Sequence, residues 1–126
     1  MNSKFSKNIA ADVEAEIVLA KKLELADNPS ESFHHLENAH VLGQESTWWH
    51  VKVHILMFLW AIRQRDIKEG IGQIIRILGA ATKTGIGLVP AGNTGGANVS
   101  PFKQLPINPL HQAAIIRAKS NVKQKF

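Results

Sequence analysis

Leu36-Glu37-Asn38-Ala39-His40-Val41-Leu42-Gly43-Gln44-Glu45-Ser46-Thr47-Trp48-Trp49-His50-Val51-Lys52-Val53-His54 reads as helix, turn, helix. Leu36, Ala39 and Leu42 recur at helical spacing, and Gly43 is expected to close that helix as its C′ residue. Thr47 is a suitable cap for the next one. Four metal-ligand side chains sit in two helical spacings, Glu37-x-x-His40 and His50-x-x-x-His54, and each spacing puts its pair on one face. If the chain folds back at the turn, residues 40 and 50 are centred on position 45, and residues 37 and 54 on about 45.5. One fold-back therefore sets His40 beside His50 and Glu37 beside His54.

A helical wheel at about 100° per residue places Lys52 and Arg63 together, with His50 and His54 roughly opposite, beside Met57, Phe58 and Ala61. His50 and His54 are thus expected to face the core. Buried imidazoles need partners for both ring nitrogens, and a metal with outer hydrogen bonds supplies them. His40 falls on the Phe33/Leu36 side of its helix, while His34 and His35 turn away and read as surface residues, as does distant His111. In the preceding helix the stripe Ile9, Val13, Glu16, Ala20, Leu23 carries one carboxylate in an apolar position. Buried carboxylates are costly unless paired or metal-bound. Fold-back near position 28.5 sets Glu16 at about the level of His40. Glu14 reads as solvated, and Asp12 lies at the stripe edge.

The expected metal ligands are Glu16, Glu37, His40, His50 and His54, contributed by three helices. Glu-x-x-His units recur in carboxylate–histidine sites of helical bundles, which use two of them, whereas this chain has one. A mononuclear site is the simpler reading, and a dinuclear one stays open with waters or Asp12 as added ligands. The chain has no Cys, so thiolate sites and disulfides are excluded. Nitrogen and oxygen donors suit a divalent transition metal, with Zn, Fe, Mn, Ni and Cu(II) not distinguished.

Outward from this core, the pattern predicts an all-α fold. Antiparallel helical hairpins would form a small bundle with helices over residues 6–26, 30–43, 47–64, 66–83 and 110–122. Asp27-Asn28-Pro29 stops the first helix, Ser30 would cap the second, and Asp66 the fourth. Residues 84–109 hold the glycines 85, 87, 92, 95 and 96 and the prolines 90, 101, 106 and 109, too many for a regular helix. Loops this long inside a compact domain are usually functional or disordered. The apolar Ile86, Leu88, Val89, Val99, Phe102, Leu105 and Ile107 suggest that the loop packs on the bundle and covers the site or a partner groove. The 126 residues fit one domain, residues 1–126.

The first 62 residues carry five Lys/Arg against eight Asp/Glu, a net −3, and the rest carry ten against two, a net +8. The basic half would suit an acidic protein partner. Nucleic acid ranks last, because no aromatic platform accompanies the charges. The longest apolar run, residues 55–62, falls far short of the ~20 residues of a membrane span. No signal peptide is evident at the start, so a soluble, cytoplasmic protein is expected. Gly92-Asn93-Thr94-Gly95-Gly96 lacks the Lys-Ser/Thr of a phosphate-binding loop, and no serine or cysteine nucleophile motif occurs.

Two further resemblances follow. The turn Asp27-Asn28-Pro29-Ser30-Glu31 and the spacing Leu36-x-x-Ala39-x-x-Leu42 resemble a tetratricopeptide-type hairpin. Corresponding points Ala39 and Leu78, however, lie 39 residues apart rather than ~34. The stretches Leu36–Gln44, His50–His54, Gly72-Gln73-Ile74-Ile75-Arg76 and residues 92–100 together resemble the bacterial domain-of-unknown-function family 3703, over about Ala11 to Pro109. That resemblance implies a compact helical bacterial protein and carries no assigned activity. Two functional expectations follow from the residues themselves. One is a metal-binding protein that sequesters, carries or senses the ion, or activates water or oxygen at an open coordination position, catalysis being left undecided. The other is a helical interaction module whose His/Glu network is structural.

Overall fold

A computed structural model describes residues 4–83, 93–97, 99 and 104–120. They form five helices, α1 (Lys4–Leu25), α2 (Pro29–Gly43), α3 (Thr47–Gln64), α4 (Ile67–Lys83) and α5 (Pro109–Ser120), with no strand among the described residues. The apolar loop residues Ile86, Leu88, Val89 and Phe102, and the C-terminal Val122, lie outside this description.

The buried stripe of α1 is Ser6, Ile9, Val13, Ile17 and Ala20. Ile9, Val13 and Ala20 are buried as expected, but Ile17, rather than Glu16, takes the core position between Val13 and Ala20. Asp27 adopts a left-handed φ of 61° and redirects the chain into α2, whose first residue is Pro29. Asn28 therefore occupies the cap position expected of Ser30, and Pro at the first helical residue loses no hydrogen bond it would otherwise make. Ser46, not Thr47, caps α3: its hydroxyl accepts from the Trp49 backbone N–H at 3.2 Å. Asp66 caps α4 as expected, accepting from the Glu69 N–H at 3.0 Å.

Gly43 needs a different explanation from the left-handed terminus first assumed for it. It is the last residue of α2, and Gly95 is the only glycine with positive φ among the described residues. A Cβ at Gly43 would lie 2.7 Å from the Trp49 Cβ. The glycine is required because the start of α3 presses on the end of α2.

α1 packs most extensively on α2, and α3 on α4, with further contacts of α2 on α3, of α5 on α1 and α2, and a smaller one of α1 on α3. The shared core holds Val13, Leu36, Leu42, Trp49, Val53 and Met57, closed by Ile115 and Ala118 of α5. Directional bonds fix the register. The Trp49 indole N–H donates to the Ser6 carbonyl at 2.9 Å, the Ser32 hydroxyl to the Ala20 carbonyl at 2.7 Å, and the Asn8 amide to the Ala118 carbonyl at 2.9 Å. No helix among the described residues is long and apolar enough to cross a membrane.

Candidate metal centre

His40 comes from the last turns of α2, and His50 and His54 from the first half of α3. The turn capped by Ser46 holds them level, and the same residue's carbonyl accepts the His50 N–H at 2.8 Å. All three are buried. Their ring centroids stand 4.8 Å (His40–His50), 4.7 Å (His40–His54) and 4.9 Å (His50–His54) apart. One ring nitrogen from each lies within 4.8 Å of the others, a grouping that can hold a metal ion. Tetrahedral coordination at ~2.0–2.1 Å would set ligand nitrogens roughly 3.4 Å apart, so an ion would draw the rings inward by about an ångström.

The surrounding bonds set the tautomers. The His40 Nδ1–H donates to the Asn93 carbonyl at 2.6 Å, which places that ring's lone pair on Nε2. His54 Nδ1–H donates to Gln73 Oε1 at 2.5 Å. The Gln73 amide nitrogen donates in turn to a Glu69 carboxylate oxygen (2.6 Å) and to the Gly95 carbonyl (2.9 Å), so its oxygen is oriented to accept. Such carboxylate–amide–imidazole chains are the outer contacts that orient metal-binding histidines. Burial holds the His40 pKa well below its ordinary value, with His54 and His50 adding to the effect. A neutral imidazole is the metal-binding form.

Part of the Gly/Pro-rich segment lies over this cluster. Gly95 has φ +85°, and a Cβ there would come within 2.5 Å of the His40 ring. Its N–H donates to the Asn93 side-chain oxygen at 2.9 Å, and the Ala97 N–H reaches the Glu69 carboxylate at 3.0 Å. Residues 93–97 therefore pack against His40, Gln73 and Glu69.

The two glutamates of the expected set are not part of the three-histidine grouping. Glu37 is half-buried, 3.6 Å from His34 Nδ1. Burial raises its pKa, and the nearby Glu69 charge contributes in the same direction. It lines an open cleft of about 730 Å³ with Glu69, Asp66, Phe33 and Trp60. Glu16 accepts from His35 Nδ1 at 2.7 Å and Asn38 Nδ2 at 3.1 Å, and lies 3.9 Å from His111 Nε2. His35 and His111 are thus half-buried around Glu16 rather than at the surface as their helical positions suggest, because α5 packs over this part of α1 and α2. His34 is exposed as expected.

Gln73, Glu69 and Asn93 were missed as contributors. For Gln73 and Asn93 the signal lay in the distinctive stretches 72–76 and 92–100, whereas Glu69 lies outside both.

Fold and site together define a small all-helical protein with a buried tri-histidine cluster able to accept a metal. The chain belongs to the family described as Protein of unknown function (DUF3703), which matches residues 7–115. No curated protein and no solved structure matches it.

Proposed function

We propose that the protein binds a divalent transition metal through His40, His50 and His54, to sequester, carry or sense it or to use it for metal-assisted chemistry. The supporting observation is the convergence of three buried imidazoles, two of which give their Nδ1–H to fixed oxygen acceptors. Glu37, three residues from His40 on α2, is the next candidate ligand, or a proton acceptor beside the ion. Glu16 would join only through rearrangement of its bonds to His35 and Asn38. In this reading one helical domain in the cytoplasm, with α1–α2 and α3–α4 as antiparallel hairpins, holds the site. Nitrogen donors favour Zn, Ni, Cu(II) and Fe over Mg and Ca.

A second reading has an observation of its own. No buried side-chain nitrogen or oxygen among the described residues lacks a hydrogen-bond partner. The cluster would then be a structural network in a helical interaction module whose basic half meets an acidic partner.

Metal uptake separates the two. Tag-free protein, stripped with chelator and dialysed against Zn, Ni, Cu or Fe(II), should retain about one ion per chain. Its melting temperature should rise with metal concentration, since an ion at 100-fold its Kd adds about 2.7 kcal/mol. His50→Ala should abolish both responses. A stripped protein that takes up none of these metals, with His50→Ala lowering stability only, would establish the network reading.

A further inference from the structure

α4 is amphipathic in an unusual sense. Against α3 it turns small and polar residues: Gly70, Gln73 and Ala80 are buried. Outward it turns Ile67, Ile71, Ile74, Ile75 and Leu78. Residues 67, 71, 74 and 78 are separated by four, three and four positions, the seam spacing of paired helices. Beside them α3 exposes Ile62, with Ile55 seven positions earlier on the same face of that helix. Between the two helices runs an apolar groove of about 460 Å³ bordered by Phe58, Ile62, Ile71 and Ile74.

We propose that this face is where a second copy of the chain docks, across a two-fold axis, with α4 antiparallel to its counterpart. The seam is self-complementary in that orientation. The pairs 67/78 and 71/74 share one midpoint, about 72.5, so Ile67 meets the partner's Leu78 while Ile71 meets the partner's Ile74. Isologous contacts require such matching, and an arbitrary partner would not. The area also fits. The seven exposed side chains range from 42% to 76% accessible. At on the order of 100 Å² for each full aliphatic side chain they offer roughly 400 Å² of apolar surface. That lies within the ~300–600 Å² of the largest patch on a typical monomer, a patch that is often functional. It is most of the apolar share, about 65%, of the ~800 Å² each subunit buries in a standard interface. The seam lies on the side of α4 away from Gln73, so the inference does not depend on the metal reading.

Sedimentation velocity and light scattering of the full tag-free chain, from about 1 to 100 μM, provide the test. The expected mass is twice 13.9 kDa. Ile71→Glu and Ile74→Glu should each raise the dissociation constant at least 100-fold while leaving the circular-dichroism spectrum and the melting profile of the monomer intact. Should either variant fail to fold, cross-linking keeps the proposal testable, because the natural chain has no Cys. Mixed Ile71→Cys and Ile74→Cys chains should form a disulfide faster than either chain alone. A wild-type chain monomeric throughout the range overturns the proposal. So does a dimer indifferent to both charges, and so does a monomer that uses this face to bind anionic vesicles or a different protein.

Discussion

At the scale of single residues, the site depends as much on what is missing as on what is present. Gly95 lies against the His40 ring because it has no side chain, and its φ of +85° suits glycine alone. Gly95→Ala should therefore strain the backbone and push on the imidazole together. We expect a loss of roughly 1–3 kcal/mol in urea unfolding and at least tenfold weaker metal retention. Gly70→Ala is the matched control. Its added Cβ would meet the Ala61 Cβ at an ordinary 3.7 Å, and a helical Gly→Ala change there should stabilise by about 0.4–1 kcal/mol. Equal effects at the two glycines would show that residues 93–97 do not press on the site.

Among the elements, α1 and α3 are joined at their far ends by an ion pair. The Arg63 guanidinium donates to both oxygens of the Glu24 carboxylate, at 2.7 and 2.8 Å, and Gln64 adds a third donor at 3.2 Å. Arg63 holds the Glu24 carboxyl below its usual range against desolvation by burial, with Gln64 adding a weaker pull in the same direction as Arg63. Because the folded pKa is depressed, this contribution is present above the ordinary value of 4.5 and fades as pH falls through the folded value. Arg63 is half-exposed, so a Glu24/Arg63 double-mutant cycle at pH 7 should return about 0.5–1 kcal/mol, and progressively less as pH falls through the depressed folded value. A coupling energy that stays constant until the protein unfolds in acid would mean that packing, not charge, joins these ends. The helices themselves were legible in sequence because periodicity and Pro/Gly punctuation are local signals. His50 and His54 were legible for the same reason, since Met57 and Ala61 on their side mark the buried face of α3. What local signals could not supply was the core position of α1 between Val13 and Ala20. Ile17 and Glu16 are adjacent, and only packing against α2 and α5 decides which one turns inward. Gln73 and Asn93 escaped notice because their roles depend on contacts spanning 19 and 53 positions.

For the whole molecule, folding brings its two oppositely charged halves together. Lys119 reaches Glu45 at 2.8 Å, Arg117 lies 3.7 Å from Asp12, and Arg63 holds Glu24. Part of the basic excess in the second half is thereby met within the chain, which leaves less of it for an acidic partner than the sequence suggested. Global stability should also carry a signature of the buried cluster. His40 is held well below the usual 6.5, first by burial and then by its two neighbouring histidines. Below about pH 6.5 the unfolded chain takes up a proton at this residue that the folded chain refuses, so stability is full above that pH and falls as pH drops toward the folded value. Glu37 acts in the opposite sense. Burial raises its pKa above 4.5, so its contribution is full below that pH and is lost as pH rises through the raised value. In chelator-treated protein the His40 effect should therefore dominate between pH 7.5 and 5.5. Unfolding free energy should fall there by on the order of 1 kcal/mol, the scale of 1.36 kcal/mol per pH unit for one group. His40→Gln should flatten that slope while lowering stability at pH 7.5. The metal-loaded protein should stay level further into acid and then release its ion and lose stability together, because protons must displace the metal before the imidazoles can titrate. A flat profile in the metal-free protein would mean that these imidazoles exchange protons with solvent as freely folded as unfolded, and that the cluster is not the dry, neutral ligand set that metal binding here requires.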